Sequence, residues 1–95
     1  MSETDSELGR VLVLLAAGAE ELEHVITVDV LRRAGIEVVV AGVGGLEPVR
    51  CSRGVVVQPD VSLDREAGAD GSLRRDYRCV VLPGGGPGTE ALSGS

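Results

Sequence analysis

The 95-residue chain is acidic and nearly free of aromatic side chains, which narrows the functions open to it. Its 15 acidic residues against 9 basic ones give a formal charge of -6, so we expect no nucleic-acid partner. No stretch reaches the roughly 18 apolar residues of a membrane span, and the N-terminus, MSETDSELGR, is acidic where a signal peptide would be basic and then apolar. These features predict a cytoplasmic protein without a membrane partner.

The two cysteines predict neither a metal site nor a disulfide. Cys51 and Cys79 show neither C-x-x-C spacing nor another metal-ligand spacing. Free cysteine is one of the most buried residue types, so we expect both thiols to be reduced and buried as small apolar side chains. No metal and no cofactor is predicted.

The first half of the chain has the pattern of a βαβ unit behind a disordered N-terminus, residues 1–9. Residues 10–17, RVLVLLAA, form an unbroken apolar run that is typical of a strand buried on both faces. A helix is predicted over residues 20–34, because acids occupy its first turn, arginines its last, and a glycine follows its end. Residues 36–43, IEVVVAGV, predict a second buried strand parallel to the first.

The second half predicts a hairpin, a polar connection and a third strand. The strings VRCS and VVVQ are separated only by residues 53–54, which is too short for a crossover helix and favours a hairpin. Residues 59–76 are predicted to form a surface connection with at most one short helical turn at its start. Residues 77–86 predict a third core strand that ends in a glycine loop, and the final GTEALSGS has the pattern of a helix start.

The number of helices is too small for the number of predicted strands. A parallel sheet needs helices on both faces, and one full helix leaves at least one face uncovered. We therefore expect residues 10–95 to be the N-terminal half of a longer α/β domain, or a piece that borrows the surface of a partner.

Three glutamates lie within four positions at the start of the predicted helix. Glu20 is explained by the helix dipole, and Glu21 is expected to be a solvated surface charge. Glu23 projects into the most apolar arc of the helix, together with Ile26 and Val30, where a carboxylate must be paired, neutralised or at the rim of a pocket. Two interpretations stay open: a site carboxylate that in its protonated form donates a hydrogen bond to an anion such as a thiolate, or a helix rolled so that Glu23 reaches water.

Two further features lie where a ligand could be bound. His24 aligns with Val28 and Leu31 on the predicted helix, and a lone histidine of this kind is expected to be a surface or interface residue rather than a ligand. The glycine loop LPGGGPG, residues 82–88, follows a strand and precedes a helix start, so its free N–H groups could bind a phosphate, a carboxylate or an oxyanion. A tight turn with no ligand is the alternative.

Four residue strings occur here in the order found in one known family. They are VLVLLAAGAEELE, VDVLRRAGIEVVVAG, VRCSRGVVVQPDVSL and VVLPGGGPG. On these strings, which cover about residues 10–92, the chain resembles the DJ-1/PfpI superfamily, specifically its Parkinsonism-associated protein deglycase branch. The resemblance implies a flavodoxin-like α/β sandwich with a β-hairpin, and a homodimer or a pairing with a full-length paralogue. It further implies glyoxalase or deglycase chemistry, oxidative-stress protection, redox-sensitive chaperone activity, and a nuclear or mitochondrial location besides the cytoplasm.

The resemblance also implies roles for single residues. Glu23 corresponds to the carboxylate that hydrogen-bonds the family's reactive cysteine. Gly84 and Gly85 correspond to the loop that lines its pocket and its oxyanion site. The implied dimer interface consists of Glu20, Glu21, Arg33, Cys51 and Arg53.

The chain departs from the family pattern in its cysteines. The reactive cysteine and its histidine neighbour would follow residue 95, so we expect these residues to be inactive alone. Cys51 and Cys79 do not replace that cysteine, because Cys51 belongs to the hairpin and Cys79 to a core strand. The second cysteine that some members carry on the hairpin is Gln58 here, and the aspartate that often follows the hairpin arginine is Gly54.

Two functions follow as expectations. The first is an enzyme in which a cysteine thiolate attacks the aldehyde of methylglyoxal-like substrates, or their early adducts on glycated proteins, while Glu23 supplies a proton and the glycine loop stabilises the oxyanion. The alternative is a non-catalytic, redox-responsive chaperone or dimerisation module that binds partners through the helix and the hairpin.

Overall fold

The computed structural model describes residues 9–68 and 72–82. The strands are β1 (Arg10–Leu15), β2 (Glu37–Gly42), β3 (Val49–Arg50), β4 (Val56–Val57), β5 (Val61–Ser62) and β6 (Cys79–Val81), and the helices are α1 (Glu21–Arg33) and α2 (Leu63–Glu66). Four strands form a parallel sheet in the order β5-β2-β1-β6, and β3 and β4 form a separate antiparallel pair. No helix in these two ranges is long and apolar enough to cross a membrane.

Strand β1 lies at the centre of the sheet, which confirms the prediction from its unbroken apolar run. It pairs with β2 along its whole length and with β6 over residues 11–13. Its side chains alternate between two apolar clusters, one on each face of the sheet. The face that α1 covers contains Val11, Val13, Leu15, Val38 and Val40. The opposite face contains Leu12, Leu14, Val39 and Ala41.

Helix α1 begins and ends within one residue of the predicted bounds because local signals fix both termini. The carboxylate of Glu20 accepts a hydrogen bond from the N–H of Glu23 at 2.9 Å and so caps the N-terminus. At the other end Gly35 has a φ of +87°, and the N–H of Ile36 donates to the carbonyl of Leu31 at 3.1 Å. This is a Schellman motif, in which a left-handed glycine lets the last carbonyls find donors.

The apolar arc of α1, into which Glu23 projects, does not face the sheet. Its members are at least half exposed: Leu22, Val25, Ile26 and Val30. The side that faces the sheet carries Glu21, His24 and Leu31. Apolar residues lie on nearly every side of this helix, so its sequence pattern does not define a single buried face. The contacts of its polar groups determine its orientation instead.

The connection between the hairpin and β6 contains more structure than the sequence predicted. The hairpin and the short helical turn are confirmed as the β3–β4 pair and α2. Strand β5, which was not predicted, adds to the sheet through the pairing of Val61 with Ala41. Cys79 is exposed, contrary to the prediction, because β6 is the edge of the described sheet.

A buried carboxylate lies where a plain surface connection was expected. Glu66 is only 1% exposed, its Oε2 accepts a hydrogen bond from the hydroxyl of Tyr77 at 2.5 Å, and the same oxygen pairs with Nε of Arg75 at 3.2 Å. Its Oε1 has no hydrogen-bond partner among the described residues. Burial, together with the bond to Glu66, raises the pKa of Tyr77, so the hydroxyl stays protonated and acts as the donor.

Candidate functional site at the start of helix α1

The strand order creates a crevice beside the N-terminus of α1. The chain passes from β1 to β2 on one side, whereas β6 pairs with β1 on the other side. Where parallel strands diverge to opposite sides in this way, the connections at their carboxyl ends separate and leave room for a ligand. The carboxyl ends of β1 and β6 therefore mark the place in this fold where a site is expected.

A cavity of about 60 Å³ occupies this crevice. Its polar lining comes from the N-cap and the first two turns of α1: Glu20, Glu23, His24 and Thr27. Its apolar lining comes from the strands and from the turn after β1: Val13, Leu14, Ala19, Val81 and Leu82. The cavity thus has one polar wall and one apolar wall, which suits a small molecule with a polar end and a short hydrocarbon part.

Glu23 lies at the rim of this cavity, which is one of the positions that the sequence left open for it. The residue is exposed as a whole, yet it lines the cavity. Its backbone N–H is used by the Glu20 cap, and no described residue donates a hydrogen bond to its carboxylate. The carboxylate is therefore available to a ligand. Gly84 and Gly85, the predicted oxyanion loop, lie outside the described residues, although Leu82 just before the loop lines the same cavity.

His24 is a member of the cavity that the sequence analysis placed at a surface or interface. It is 9% exposed and lies on the side of α1 that packs against the sheet. Burial lowers the pKa of His24, the nearby charge of Arg32 lowers it further, and Asp60 acts in the opposite direction. The imidazole is therefore neutral at pH 7. Its helical alignment with Val28 and Leu31, both of which pack on the core, was the signal that could have placed it inside.

Glu21 is buried and joins α1 to the hairpin, so the prediction of a solvated charge was wrong. Its carboxylate accepts hydrogen bonds from the hydroxyl of Ser52 at 3.0 Å and from the N–H groups of Arg53 at 2.9 Å and Val55 at 3.3 Å. Burial acts to raise the pKa of Glu21, but the hydrogen bonds from backbone N–H groups, including its own, and from Ser52 outweigh burial and lower it. Glu21 thus fixes the hairpin turn within its own chain.

The remaining residues of the predicted interface differ in exposure. Cys51 is buried, and burial together with the negative charges of Glu21 and Glu20 raises the pKa of its thiol. A protonated, buried thiol is a poor nucleophile and a poor redox sensor. Arg53 and Arg33 are both exposed, and Nε of Arg33 pairs with Asp29 at 3.0 Å.

Comparison with known proteins places the chain in the family that its residue strings indicated. Residues 9–95 match the DJ-1/PfpI family. The chain belongs to this family. It is similar to the Parkinson disease protein 7 homolog of Danio rerio, with 55% identity over 86 residues that make up 90% of this chain and 43% of that protein. It is 35% identical over 82 residues to the glutathione-independent glyoxalase DJR-1.2 of Caenorhabditis elegans, covering 86% of this chain and 40% of that protein.

A solved structure of the DJ-1/PfpI family confirms the α/β fold with a parallel sheet. The crystal structure of Drosophila melanogaster DJ-1beta matches with a TM-score of 0.82 and 49% identity, over 92% of this chain and 44% of that one. The chain therefore spans less than half the length of each of these relatives.

Proposed function

We propose that the protein takes part in glyoxalase- or deglycase-type chemistry on small aldehydes such as methylglyoxal, with Glu23 as its acid group. The observation that carries the proposal is the position of an unpaired carboxylate at the rim of a small cavity, at the point where the strand order reverses. Membership of the DJ-1/PfpI family supports it, as does the similarity to a relative named as a glutathione-independent glyoxalase.

The proposed chemistry needs a thiolate that neither cysteine of the described residues supplies. Cys51 is buried and protonated, and Cys79 is not among the residues that line the cavity. A thiolate from outside the 95 residues attacks the aldehyde carbon of methylglyoxal, and the carboxyl group of Glu23 gives a hydrogen bond or a proton to the oxygen that becomes negative. Transfer of the hydrogen of that carbon to the neighbouring carbonyl, followed by addition of water, yields lactate and returns the thiolate.

The intact mass of the protein in its native source is measured first and gives its full length. The test then compares the Glu23→Gln and Glu47→Gln variants of the protein at that length. Lactate formation from methylglyoxal should fall on the order of 100-fold in kcat/KM for Glu23→Gln, the loss typical of removing one group that stabilises an oxyanion. Glu47 is exposed and lies outside the Glu23 cavity, so its variant should keep full activity. Equal activity of the two variants would refute the proposal. We expect the 95-residue chain alone to be inactive.

A second candidate function is that of a dimerisation or chaperone-like module, and the exposed arc of α1 favours it. Leu22 is 64% exposed and Val30 56% exposed, an apolar arc that self-association would cover. Ile26→Arg should convert a dimer into a monomer in analytical ultracentrifugation. Leu46→Arg is the matched control, because Leu46 is 48% exposed, similar to the 51% of Ile26, but lies on the loop after β2. A dimer that survives Ile26→Arg would exclude this surface.

A further inference from the structure

We propose that His24 is the second ligand-binding group of the Glu23 cavity, where its neutral imidazole hydrogen-bonds an uncharged carbonyl compound held beside Glu23. The inference rests on the proposed function, because it takes the cavity as a site for small carbonyl compounds. It adds to that function a binding residue and a preference for uncharged ligands.

The burial of His24 is the first observation that carries this inference. The residue is 9% exposed and packs between α1 and the sheet, at a position of the helix where Leu31 and Val28 supply aliphatic side chains. No hydrogen bond from its imidazole to another group occurs within residues 9–68 and 72–82. Neither ring nitrogen is among the fully buried side-chain atoms that lack a partner in the described residues, so the imidazole opens onto accessible space, and because His24 lines the cavity a ligand there can reach it.

The composition of the cavity walls indicates the chemistry of that partner. The strands contribute only aliphatic side chains, whereas α1 contributes the two carboxylates, the imidazole and the hydroxyl of Thr27. A neutral imidazole can donate one hydrogen bond and accept another, so it suits a carbonyl or hydroxyl oxygen. The apolar wall suits a methyl or methylene group. A neutral hydroxyketone or oxoaldehyde of three carbons combines these features and is of a size that a cavity of about 60 Å³ can hold.

The charges around His24 disfavour anionic ligands. Glu20 and Glu23 both line the cavity, and beyond it the charges of Arg32 and Asp60 act on the pKa of His24 in opposite directions. The strand residues that line the cavity, Val13, Leu14 and Val81, carry no charge. An acid product such as lactate would meet the carboxylate of Glu20 with like charge, so the cavity favours the uncharged substrate over the anionic product.

The experiment uses nuclear magnetic resonance, since His24 is the single histidine of the 95 residues and its imidazole signals need no assignment. Hydroxyacetone, an uncharged and unreactive analogue of methylglyoxal, is titrated into the purified 95-residue protein in the oligomeric state that it adopts in solution. We expect a saturable shift of the imidazole signals and a much weaker effect of lactate. His24→Leu should weaken the binding of hydroxyacetone roughly threefold to tenfold, the effect of one lost hydrogen bond, and His24→Gln, which keeps a donor and an acceptor, should stay close to the unsubstituted protein.

The outcomes separate the inference from the function on which it rests. Saturable shifts at the amides of Glu23 and Val81, with unmoved imidazole signals and full binding by His24→Leu, would overturn the role of His24 and leave the carbonyl site intact. The absence of any saturable shift at cavity residues would overturn both. Binding of lactate as tight as that of hydroxyacetone would refute the preference for uncharged ligands. The imidazole signals of the unsubstituted chain decide the matter even where a variant fails to fold.

Discussion

Replacing Tyr77 by Phe should lower the free energy of unfolding by about 2 kcal/mol, because the hydroxyl that is lost is a hydrogen-bond donor to a fully buried carboxylate. The acceptor, Oε2 of Glu66, lies 2.5 Å from the hydroxyl, and the other oxygen of Glu66 has no partner among the described residues. Without Tyr77 the carboxylate depends on Arg75 alone. The aromatic ring, which packs against the apolar cluster on the α2 face of the sheet, is retained in the variant, so the loss reports the hydroxyl rather than the packing.

The size of the loss follows from the charge of the acceptor. Hydrogen bonds to charged groups contribute about 1.5–3 kcal/mol, whereas neutral ones contribute about 0.5–1.5 kcal/mol. In a Glu66→Gln background the amide oxygen still accepts from Tyr77 but carries no charge. Tyr77→Phe should therefore cost about 1 kcal/mol less in that background, and this difference is the coupling between the two side chains.

The assay is urea denaturation of the four proteins of this double-mutant cycle, with Arg74→Gln as the control. Arg74 is exposed and its side chain takes no part in the Glu66 contacts, so its replacement should change the free energy of unfolding by no more than about 0.5 kcal/mol. A coupling energy indistinguishable from zero would mean that Glu66 and Tyr77 do not interact in solution, and the reasoning would be wrong.

Three further predictions concern α1 and the end of β2. Glu21→Ala removes the acceptor for the N–H groups of Arg53 and Val55, so the hydrogen-exchange protection of these two amides should drop while that of the sheet is retained. Unchanged protection would show that the hairpin is stable without Glu21. The pKa of His24 lies below its usual 6.5, chiefly through burial, so the unfolded chain binds more protons below about that pH, and the free energy of unfolding should decline from pH 7 to pH 5. His24→Leu should flatten this decline, and an unaltered slope would contradict the assignment. At Gly42 an added Cβ would overlap a backbone carbonyl oxygen, so Gly42→Ala should lower the melting temperature by several degrees, whereas Gly44→Ala, with open space around it, should not.

The elements whose signals are local could be predicted from the sequence. The bounds of α1 followed from its acidic first turn and from Gly35, and β1 and β2 followed from their unbroken apolar runs. The hairpin followed from a connection too short for a helix. Each of these signals lies within a few residues of the element that it specifies, so these elements could be predicted without knowing any long-range contact.

The orientation of α1 and the partners of its polar groups could not be predicted in the same way. Glu21 finds its donors more than 30 residues further along the chain, at Arg53 and Val55, and nothing near Glu21 specifies them. Glu66 likewise depends on Tyr77 across a loop of unremarkable polar composition. Glu23 was recognised as unusual, but the sequence could not choose between a pocket rim and open water, because that choice depends on where β6 lies.

The central place of β1 in the sheet also affects how the chain is made. β1 leaves the ribosome more than 60 residues before β6, yet in the described sheet β6 is the strand that pairs with one of its edges, where Cys79 lies opposite Val11. Until that segment has been synthesised, an unbroken valine and leucine strand offers a free row of backbone donors and acceptors to any neighbouring chain. The interval before β6 emerges is therefore the period in which nascent copies are most prone to aggregate, and in which a chaperone that shields β1 has most effect.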